Sequence, residues 1–189
     1  MFNSKIMNAR DIFFRNLKVK KFIVIVFLLV VILLILLTVN VNAVVSPTND
    51  FYVNDYADVL SSETEQYIIN TNVNLQEQTG AQVVVVTITS LDGKSIEEYA
   101  TELFRNFGIG DKEKNNGVLL LCTTGEREFR IEVGYGLEGA LPDGKTGRIQ
   151  DQYIIPYLKQ DNYNDGILNG YNAVLETVSE EYNVTIDNQ

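Results

Sequence analysis

The most prominent pattern in the chain is an uninterrupted apolar run near the N-terminus. Sixteen apolar residues extend from Phe22 to Leu37, and residues 1–21 before them carry six Lys and Arg against one Asp. With the next two residues included, the run would span roughly 27 Å as a helix, close to the hydrocarbon thickness of a bilayer at about 30 Å. We therefore expect residues 1–21 to be a basic cytoplasmic stub and residues 22–41 to be a transmembrane helix or signal anchor, with the rest of the chain extracytoplasmic.

The sequence leaves open whether this apolar segment is retained or removed. Val41 and Ala43 have small or medium-sized side chains at the two positions that a signal peptidase recognises. The apolar run is, however, longer than the roughly 7–15 residues of a signal-peptide core. We expect a retained anchor in the cell membrane, and the alternative is a secreted domain cleaved after Ala43. Residues 42–51, which contain Pro47, are predicted as a linker.

Capping signals predict the first two helices of the remaining chain. The segments Ser62–Glu65 and Ser95–Glu98 each have Ser followed three residues later by Glu, the pattern of a capping box. Apolar residues then recur at helical spacing until Gly80 in the first case and Gly108 in the second, and glycine commonly ends a helix. The sequence therefore predicts helices that begin at Ser62 and Ser95.

Three strands are predicted from the apolar runs that follow these helices. Val83–Ile88 and Val118–Cys122 show no regular alternation, which is typical of strands that are covered on both faces. Phe129–Val133 alternates apolar with charged residues, as an antiparallel strand near a sheet edge does. The three strands together predict a small mixed sheet.

Two further helices complete the pattern. The first is expected from about Gly144 to Leu158 with a distortion near Pro156, and the second from about Tyr163 to Tyr182. The predicted order is helix, strand, helix, strand, strand, helix, helix. That order indicates an α/β domain over residues 52–182, in which a small mixed sheet lies between helices, followed by a tail at 183–189.

Charge and composition restrict what this domain can do. From Ala43 onward the chain has nine Lys and Arg against twenty-four Asp and Glu, a net charge of −15. Such a field repels nucleic acid and attracts cations, so no nucleic-acid partner is expected. With no His and with Cys122 as its single cysteine, the chain cannot build an internal disulfide, a Ser-His-Asp or Cys-His catalytic centre, or a His-ligated zinc site.

Two motifs resemble known binding sequences but lack essential parts. Gly134–Gly139 matches G-x-G-x-x-G, yet Pro142 follows where the dinucleotide-binding motif needs a continuing helix, so no nucleotide cofactor is expected. Asp161–Gly166 imitates the start of an EF-hand, but Tyr163 and Asn172 stand at two of its ligand positions. We predict that this second segment is a loop leading into the last helix.

The remaining chemistry consists of carboxylates and amides in predicted loops. Each lies next to an ordered element, a place where a polar residue is often only a solvated turn residue. In an acidic domain without His, their oxygens together suit Ca²⁺, which takes about six to eight oxygen ligands in flexible geometry. The residues are Asp55, Asp58, Asn115, Asn116, Glu138 and Asp143.

Several stretches of the chain, in order, resemble the TPM domain family, which occurs in exported bacterial proteins and in a plant thylakoid-lumen protein of photosystem II repair. The most specific stretch is Gly134–Gly139 after a strand, and the resemblance covers about residues 52–178. It implies a three-layer α/β/α sandwich with an acidic groove that can hold calcium and, for some members, a phosphatase activity. The matching stretches are Val53–Leu60, Thr79–Thr87, Ile96–Ala100, Phe107–Gly110, Asn116–Leu121 and Ile131–Gly139.

The resemblance also suggests metal ligands residue by residue. Asp55 matches the family's Asp after the first short strand, Glu138 matches the Glu of the glycine block, and Asp143 matches the Asp that follows it. The family commonly has Asp-Asn-Gly before the second buried strand, whereas this chain has Asn115 at the first of these positions, which removes one negative charge. We therefore expect metal ligands at Asp55, Asn115, Glu138 and Asp143, for Ca²⁺ ahead of Mg²⁺ or Mn²⁺.

Two functions follow from these expectations, beside a third alternative, a structural or assembly domain that uses no metal. The first is a membrane-tethered, extracytoplasmic module that binds a divalent cation and acts on or alongside envelope proteins. The alternative is a metal-dependent phosphatase for phosphomonoesters, with Asp55 or Glu138 as general base and Arg148 as the phosphate contact. We prefer the first function, because acidic surroundings oppose the entry of a phosphate dianion.

Overall fold

The computed structural model describes residues 9–37 and 44–186. The chain divides into two units, one that ends at Ala43 and one that begins at Val44. Residues 1–8 of the predicted stub, 42–43 of the predicted linker and 187–189 of the predicted tail lie outside the described residues.

The first unit contains a single described helix. Helix α1 spans Ala9–Leu37, and its large apolar side chains between Phe22 and Ile32 are mostly exposed. Over the described residues, no helix combines the length and the hydropathy needed to cross a membrane. Residues 38–41 of the predicted span lie outside the described part of the chain.

The second unit is built on a four-stranded mixed sheet. Its strands are β1 (Val53–Asp55), β2 (Gln82–Ile88), β3 (Gly117–Thr123) and β4 (Glu128–Val133), and they lie side by side in that order. The first three strands are parallel, and β4 pairs antiparallel with β3 at the edge. The small mixed sheet and the antiparallel edge strand predicted from the sequence are therefore confirmed.

Strand β1 was absent from the predicted element order, which began with a helix, so that order was wrong at its start. The strand has three residues, too few for a period-two pattern to stand out in the sequence. It pairs with β2 only over Val85 to Thr87. Before the first residue of β1, the side chain of Asn72 bonds to β2 instead. Asn72 Oδ1 accepts from the N–H of Val83, and Asn72 Nδ2 donates to the carbonyl of Val83, both at 2.8 Å.

The two capped helices form close to where the sequence predicts them. Helix α2 spans Ser62–Thr79, and its N-cap is Ser61 rather than the expected Ser62, because the Ser61 hydroxyl accepts from the N–H of Thr64. Helix α3 spans Ile96–Phe107, and Ser95 and Glu98 form both halves of the predicted capping box. Left-handed Gly80 and Gly108 end the two helices, as predicted.

The C-terminal helices include a local change of helix type. Helix α4 spans Asp143–Ile149, a π-helical segment follows at Gln150–Ile154, and helix α5 completes the run at Ile155–Leu158. The predicted distortion is thus present, on the N-terminal side of Pro156, because proline lacks an N–H and its ring clashes with the preceding turn. Helix α6 spans Tyr163–Tyr182, as expected.

Helices cover both faces of the sheet. Alternate residues of β2 point to opposite sides: Val83 and Val85 join one core cluster, and Val84 and Val86 join the other. The first cluster includes apolar residues of α2, α4, α5 and α6, and the second is closed by α3. Burial on both faces explains why the β2 and β3 sequences show no alternation.

The ordered domain begins earlier than the predicted boundary at residue 52. Val44 is buried in the core cluster under α3, and the N–H of Val45 donates to Tyr99 Oη at 3.3 Å. Val44, Val45 and Phe51 of the predicted linker therefore contact the domain core, whereas residues 46–50 between them are exposed.

Candidate metal-binding groove

A short glycine turn joins β4 to the helices at the end of the sheet where β3 begins. The turn is a 3₁₀ helix at Tyr135–Leu137. The N–H of Gly134 donates to the carbonyl of Gly117 at 2.8 Å, and the N–H of Gly136 donates to the carbonyl of Asn115 at 3.0 Å. A Cβ on Gly136 would lie 1.9 Å from the carbonyl oxygen of Lys114, so only glycine allows this close approach. The glycine block thus has a packing role.

This turn brings two of the predicted ligands to one groove. Glu138 directly follows the 3₁₀ turn, and Asp143 is the first residue of α4 after the N-cap Pro142. An acidic residue in the first turn of a helix is also favoured by the helix dipole, which gives Asp143 a structural role beside any ligand role. The groove has a volume of about 370 Å³ and is lined by Arg130, Ile131, Glu132, Val133, Glu138, Leu141, Pro142 and Asp143.

The three carboxylates of the groove differ in their surroundings. Glu138 and Asp143 are exposed, and within residues 44–186 their carboxylates form no hydrogen bond or ion pair. Glu132 is partly buried and accepts from Arg130 Nε at 2.8 Å and from Thr101 Oγ1 at 3.3 Å. Two groove carboxylates are therefore available to a ligand, and the third already has a counter-ion.

The donors present match a hard cation in kind. Carboxylate oxygens are preferred by Ca²⁺ and Mg²⁺, and the groove offers no sulfur or imidazole. Over the described residues, however, no three Asp, Glu, His or Cys side chains stand close enough together to hold a metal ion. A cation in this groove would therefore need amide, carbonyl or water oxygens in addition to Glu138 and Asp143.

Of the two neighbouring asparagines, only Asn115 has a side chain that is available. Asn115 is exposed and adopts a left-handed backbone conformation, with φ of 50°, beside the glycine turn. Asn116 is fully buried: its Oδ1 accepts from the N–H of Asp111 at 3.0 Å, and its Nδ2 donates to Tyr182 Oη at 2.9 Å. The structure thus leaves Asn115 as a candidate and gives Asn116 a structural role.

Asp55 does not lie in this groove. It pairs with Thr87 near the far end of β2, whereas the groove lies at the end where Gln82 pairs with Gly117. Five residues of strand separate these positions, roughly 16 Å. The Asp55 carboxylate instead accepts from the N–H groups of Val59 at 2.9 Å and Leu60 at 2.8 Å, and from the Thr87 hydroxyl.

The surroundings of Asp55 form a second acidic region. Partial burial raises the pKa of Glu65, and the nearby carboxylates of Asp55, Asp50 and Asp58 raise it further. Burial, with a smaller contribution from Asp55, raises the pKa of the Cys122 thiol to about 12. This thiol is therefore protonated at neutral pH and is an unreactive part of the core.

Arg148 lies in a third place. It is exposed on α4 and lines a separate groove of about 310 Å³ between α4, the π-helical segment and α6, together with Lys145, Tyr153, Glu176 and Glu180. Asp55 therefore lies apart from Glu138, and Arg148 lines a different groove, although its Nη1 lies 3.6 Å from the position of a Cβ on Gly144 at the start of α4.

A sequence model of the TPM domain matches residues 53–177. The chain belongs to the TPM domain family. A comparison with curated proteins gives no match.

Solved structures share the fold of this TPM domain. The N-terminal domain of a P. gingivalis protein is 32% identical, with a TM-score of 0.65, over 70% of this chain and 85% of that one. The BA42 protein of the psychrophilic bacterium Bizionia argentinensis is 20% identical, with a TM-score of 0.55, over 65% and 83% of the two chains. The N-terminal domain of cg2496 from Corynebacterium glutamicum is 19% identical, with a TM-score of 0.50, over 75% and 88%. At these lower identities the last two support the fold alone.

One residue that the sequence did not single out lines the groove of the TPM domain. It is Glu132, and the alternation of β4, which places Glu132 on the same face as Arg130, was the available signal. On the turn that precedes Glu138, Tyr135 between two glycines is 80% exposed, and nothing in the residue pattern indicated this exposure.

Proposed function

We propose that this TPM domain binds a divalent cation, Ca²⁺ in preference to Mg²⁺ or Mn²⁺, in the groove at Glu138 and Asp143. The observation that carries the proposal is that the glycine turn brings these two carboxylates to one groove and leaves both without a protein partner among the described residues. A bound cation would relieve the repulsion between them. Asn115, whose carbonyl accepts from the Gly136 N–H of the turn, is a candidate for a further ligand.

The expected affinity is modest. Asn115 replaces an acidic residue of the family pattern, and Glu132 is already paired with Arg130, so the groove presents two free negative charges. Few charged ligands favour the weak binding of extracellular calcium modules, with Kd of about 10⁻⁴–10⁻³ M. The net charge of −15 from Ala43 onward adds a general attraction for cations.

A calorimetric titration tests this site. We expect residues 44–189, which include the whole second unit, to bind Ca²⁺ saturably. Asp143→Ala and Glu138→Gln should each raise the Kd by roughly 5-fold or more, because each removes a charged ligand. Asp151→Asn is the matched control, because Asp151 is exposed and outside the groove. The proposal is wrong if the wild type shows no saturable heat at millimolar Ca²⁺, or if the control weakens binding as much as Asp143→Ala.

We further propose that residues 22–41 tether this domain to the membrane, so that it acts on the extracytoplasmic side on or alongside envelope proteins. The basic flank and the apolar run support this placement. The mass of the mature protein decides between the anchored form and a form cleaved after Ala43. Recovery of the full-length mass from the soluble fraction alone would contradict both forms.

We consider the phosphatase alternative less well supported. Asp55 lies at the other end of the sheet from Glu138, and Arg148 lines a groove other than the one at Glu138. We therefore expect the purified domain to leave a chromogenic phosphomonoester unchanged across pH 5–9 with Ca²⁺, Mg²⁺ or Mn²⁺. Metal-dependent turnover that is lost in Glu138→Gln would restore the alternative.

A further inference from the structure

The outer edge of the sheet is formed by β4. Among the described residues, only β3 pairs with this strand. In an antiparallel pair, residues that bond to the neighbouring strand alternate with residues whose backbone groups point away from it. The hydrogen bond from the N–H of Gly134 to the carbonyl of Gly117 at 2.8 Å fixes this alternation, so the even-numbered residues of β4 bond to β3. The backbone groups of Ile131 and Val133 therefore point outward.

These outward backbone groups have no partner in the domain. Within residues 44–186, the N–H and carbonyl groups of Ile131 and Val133 form no hydrogen bond. Both residues line the groove that also contains Glu138 and Asp143, and Ile131 is only 6% exposed. In folded proteins, the backbone polar groups of residues so little exposed are nearly always paired. A chain lying in this groove would supply the missing hydrogen bonds.

The charges of the groove restrict which chain can pair with this edge. Glu138 and Asp143 have carboxylates without a partner within residues 44–186, whereas Arg130 and Glu132 already neutralise each other at 2.8 Å. The groove therefore presents an excess of negative charge, and the chain from Ala43 onward has a net charge of −15. A second copy of this chain would bring the same excess, whereas a basic segment complements it.

We propose that the β4 edge receives an extended basic segment of a partner protein, which pairs with Ile131 and Val133 as an added strand. Strand addition is a known mode of peptide recognition, in which main-chain hydrogen bonds give affinity and alternate side chains give specificity. The inference rests on the proposed function only for the existence of an envelope partner. It does not depend on the cation site, because the strand edge is unpaired whether or not a cation is bound.

The alternation of side chains predicts where the basic residues of the segment lie. Residues directly opposite Ile131 and Val133 in an added strand have their side chains on the same face of the sheet as these two. Ile131 belongs to the core cluster that includes Leu137 and Leu141, which stand on either side of Glu138 in the chain. The residues that hydrogen-bond to β4 are therefore the ones whose Lys or Arg side chains point toward the groove carboxylates.

The test uses the full chain in a non-ionic detergent and a fluorescent, capped peptide in which Lys and Val alternate over about nine residues, the length of an ordinary strand. We expect saturable binding by anisotropy, with amide resonances of Ile131 and Val133 that shift with the same Kd. A peptide with Glu in place of Lys should bind at least about 10-fold more weakly. Glu138→Gln should raise the Kd of the Lys peptide roughly 2- to 5-fold, and the exposed control Asp151→Asn, outside the groove, should stay within about 1.5-fold.

Two N-methylated peptides separate strand addition from simple charge attraction, and they do not depend on a variant folding. Methyl groups on every Lys nitrogen of the backbone should raise the Kd by about 10-fold or more, because those N–H groups face β4. Methyl groups on every Val nitrogen should change the Kd by less than about 3-fold, because those N–H groups face away. Equal binding by the two peptides overturns strand addition. The reverse order supports strand addition and overturns the placement of the lysines beside Glu138.

Two further results would also overturn the proposal. One is the absence of any saturable shift at Ile131 and Val133 with millimolar Lys peptide. The other is a shift of the same amides on raising the protein concentration without peptide, which would assign the edge to a second copy of the chain. Ca²⁺ binding is measured separately, so failure of the strand addition and failure of the cation site are distinguished.

Discussion

At the scale of single residues, Asn72 makes the hydrogen bonds that a longer strand β1 would make. Strand β1 begins only opposite Val85, and the Asn72 amide satisfies both the N–H and the carbonyl of Val83, two residues before that point. Asn72 is fully buried and also donates to Tyr171 Oη at 2.9 Å. A buried amide that is hydrogen-bonded at every position is costly to remove, because the groups it served stay buried.

We predict that Asn72→Ala lowers the free energy of unfolding by about 2–4 kcal/mol, since it leaves two buried backbone groups unsatisfied. Asn74→Ala on the same helix should cost less than about 0.5 kcal/mol, because Asn74 is only half-buried and its side chain only accepts from Gln78. Urea unfolding of both variants measures the difference. Equal losses would show that Asn72 has no special role.

Two glutamates at the start of α2 are predicted to respond to pH in opposite directions. The pKa of Glu65 is raised by burial and then by neighbouring carboxylates, so its contribution to stability is present below its unfolded pKa and is lost as pH rises through the folded pKa. The pKa of Glu63 is lowered by its own backbone N–H and by Ser61, so its contribution is present above its unfolded pKa and is lost as pH falls.

Glu65→Gln should therefore gain stability relative to the wild type between pH 4 and pH 7, whereas Glu63→Gln should lose it over the same interval. Urea unfolding at the two pH values tests the sign for each variant. If the free energy of unfolding changes with the same sign in both variants, the local hydrogen bonds, burial and charges do not set the pKa values of these two carboxyl groups.

At the scale of elements, the glycine turn decides the shape of the groove. We predict that Gly136→Ala lowers the free energy of unfolding by roughly 1–3 kcal/mol and weakens Ca²⁺ binding, because the new Cβ would overlap the Lys114 carbonyl and push the turn that carries Glu138. Gly139→Ala is the control, since a Cβ there meets nothing within 4 Å. Urea unfolding and calorimetry measure the two effects. A Gly136→Ala variant whose free energy of unfolding and Ca²⁺ affinity both match the wild type would contradict this packing.

How far the sequence predicts the elements depends on their length and capping. Helix α3 was predicted with its capping pair, because the capping box of Ser95 and Glu98 is a pattern that lies within four residues of sequence. The neighbouring serines 61 and 62 are both plausible caps, and tertiary packing decides between them, which explains the shift of one residue. Strand β1 and the turn at Tyr135–Leu137 have three residues each, too few for any periodic signal.

The candidate site was predictable only in part, for a reason of topology. Asp55, Glu138 and Asp143 all follow or precede predicted elements, but loop position alone does not state at which end of the sheet a residue lies. Asp55 is the last residue of parallel β1, while Glu138 follows antiparallel β4, so the two lie at opposite ends of the sheet. Strand direction, which comes from long-range pairing, therefore decides which carboxylates can act together.

At the scale of the whole molecule, the proposal that the domain acts on or alongside envelope proteins can be tested at Tyr135. Tyr135 stands 80% exposed on the turn beside Glu138, and aromatic residues of this kind frequently anchor protein interfaces. We predict that Tyr135→Ala lowers crosslinking of the domain to its envelope partner by roughly 5-fold or more and leaves the Ca²⁺ Kd unchanged. Tyr153→Ala, on the separate groove beside Arg148, should leave crosslinking unchanged. Equal losses from both variants would remove Tyr135 as the contact point.

We propose that the cation binds at the glycine-turn end of the sheet and not at the Asp55 end. An NMR titration of residues 44–189 with Ca²⁺, followed by backbone amide shifts, distinguishes the two ends. We expect saturable shifts that concentrate at residues 132–143 and at Asn115, with little change at residues 50–65. Saturable shifts that concentrate instead around Asp55 and Glu65, or the absence of any saturable shift, would contradict it.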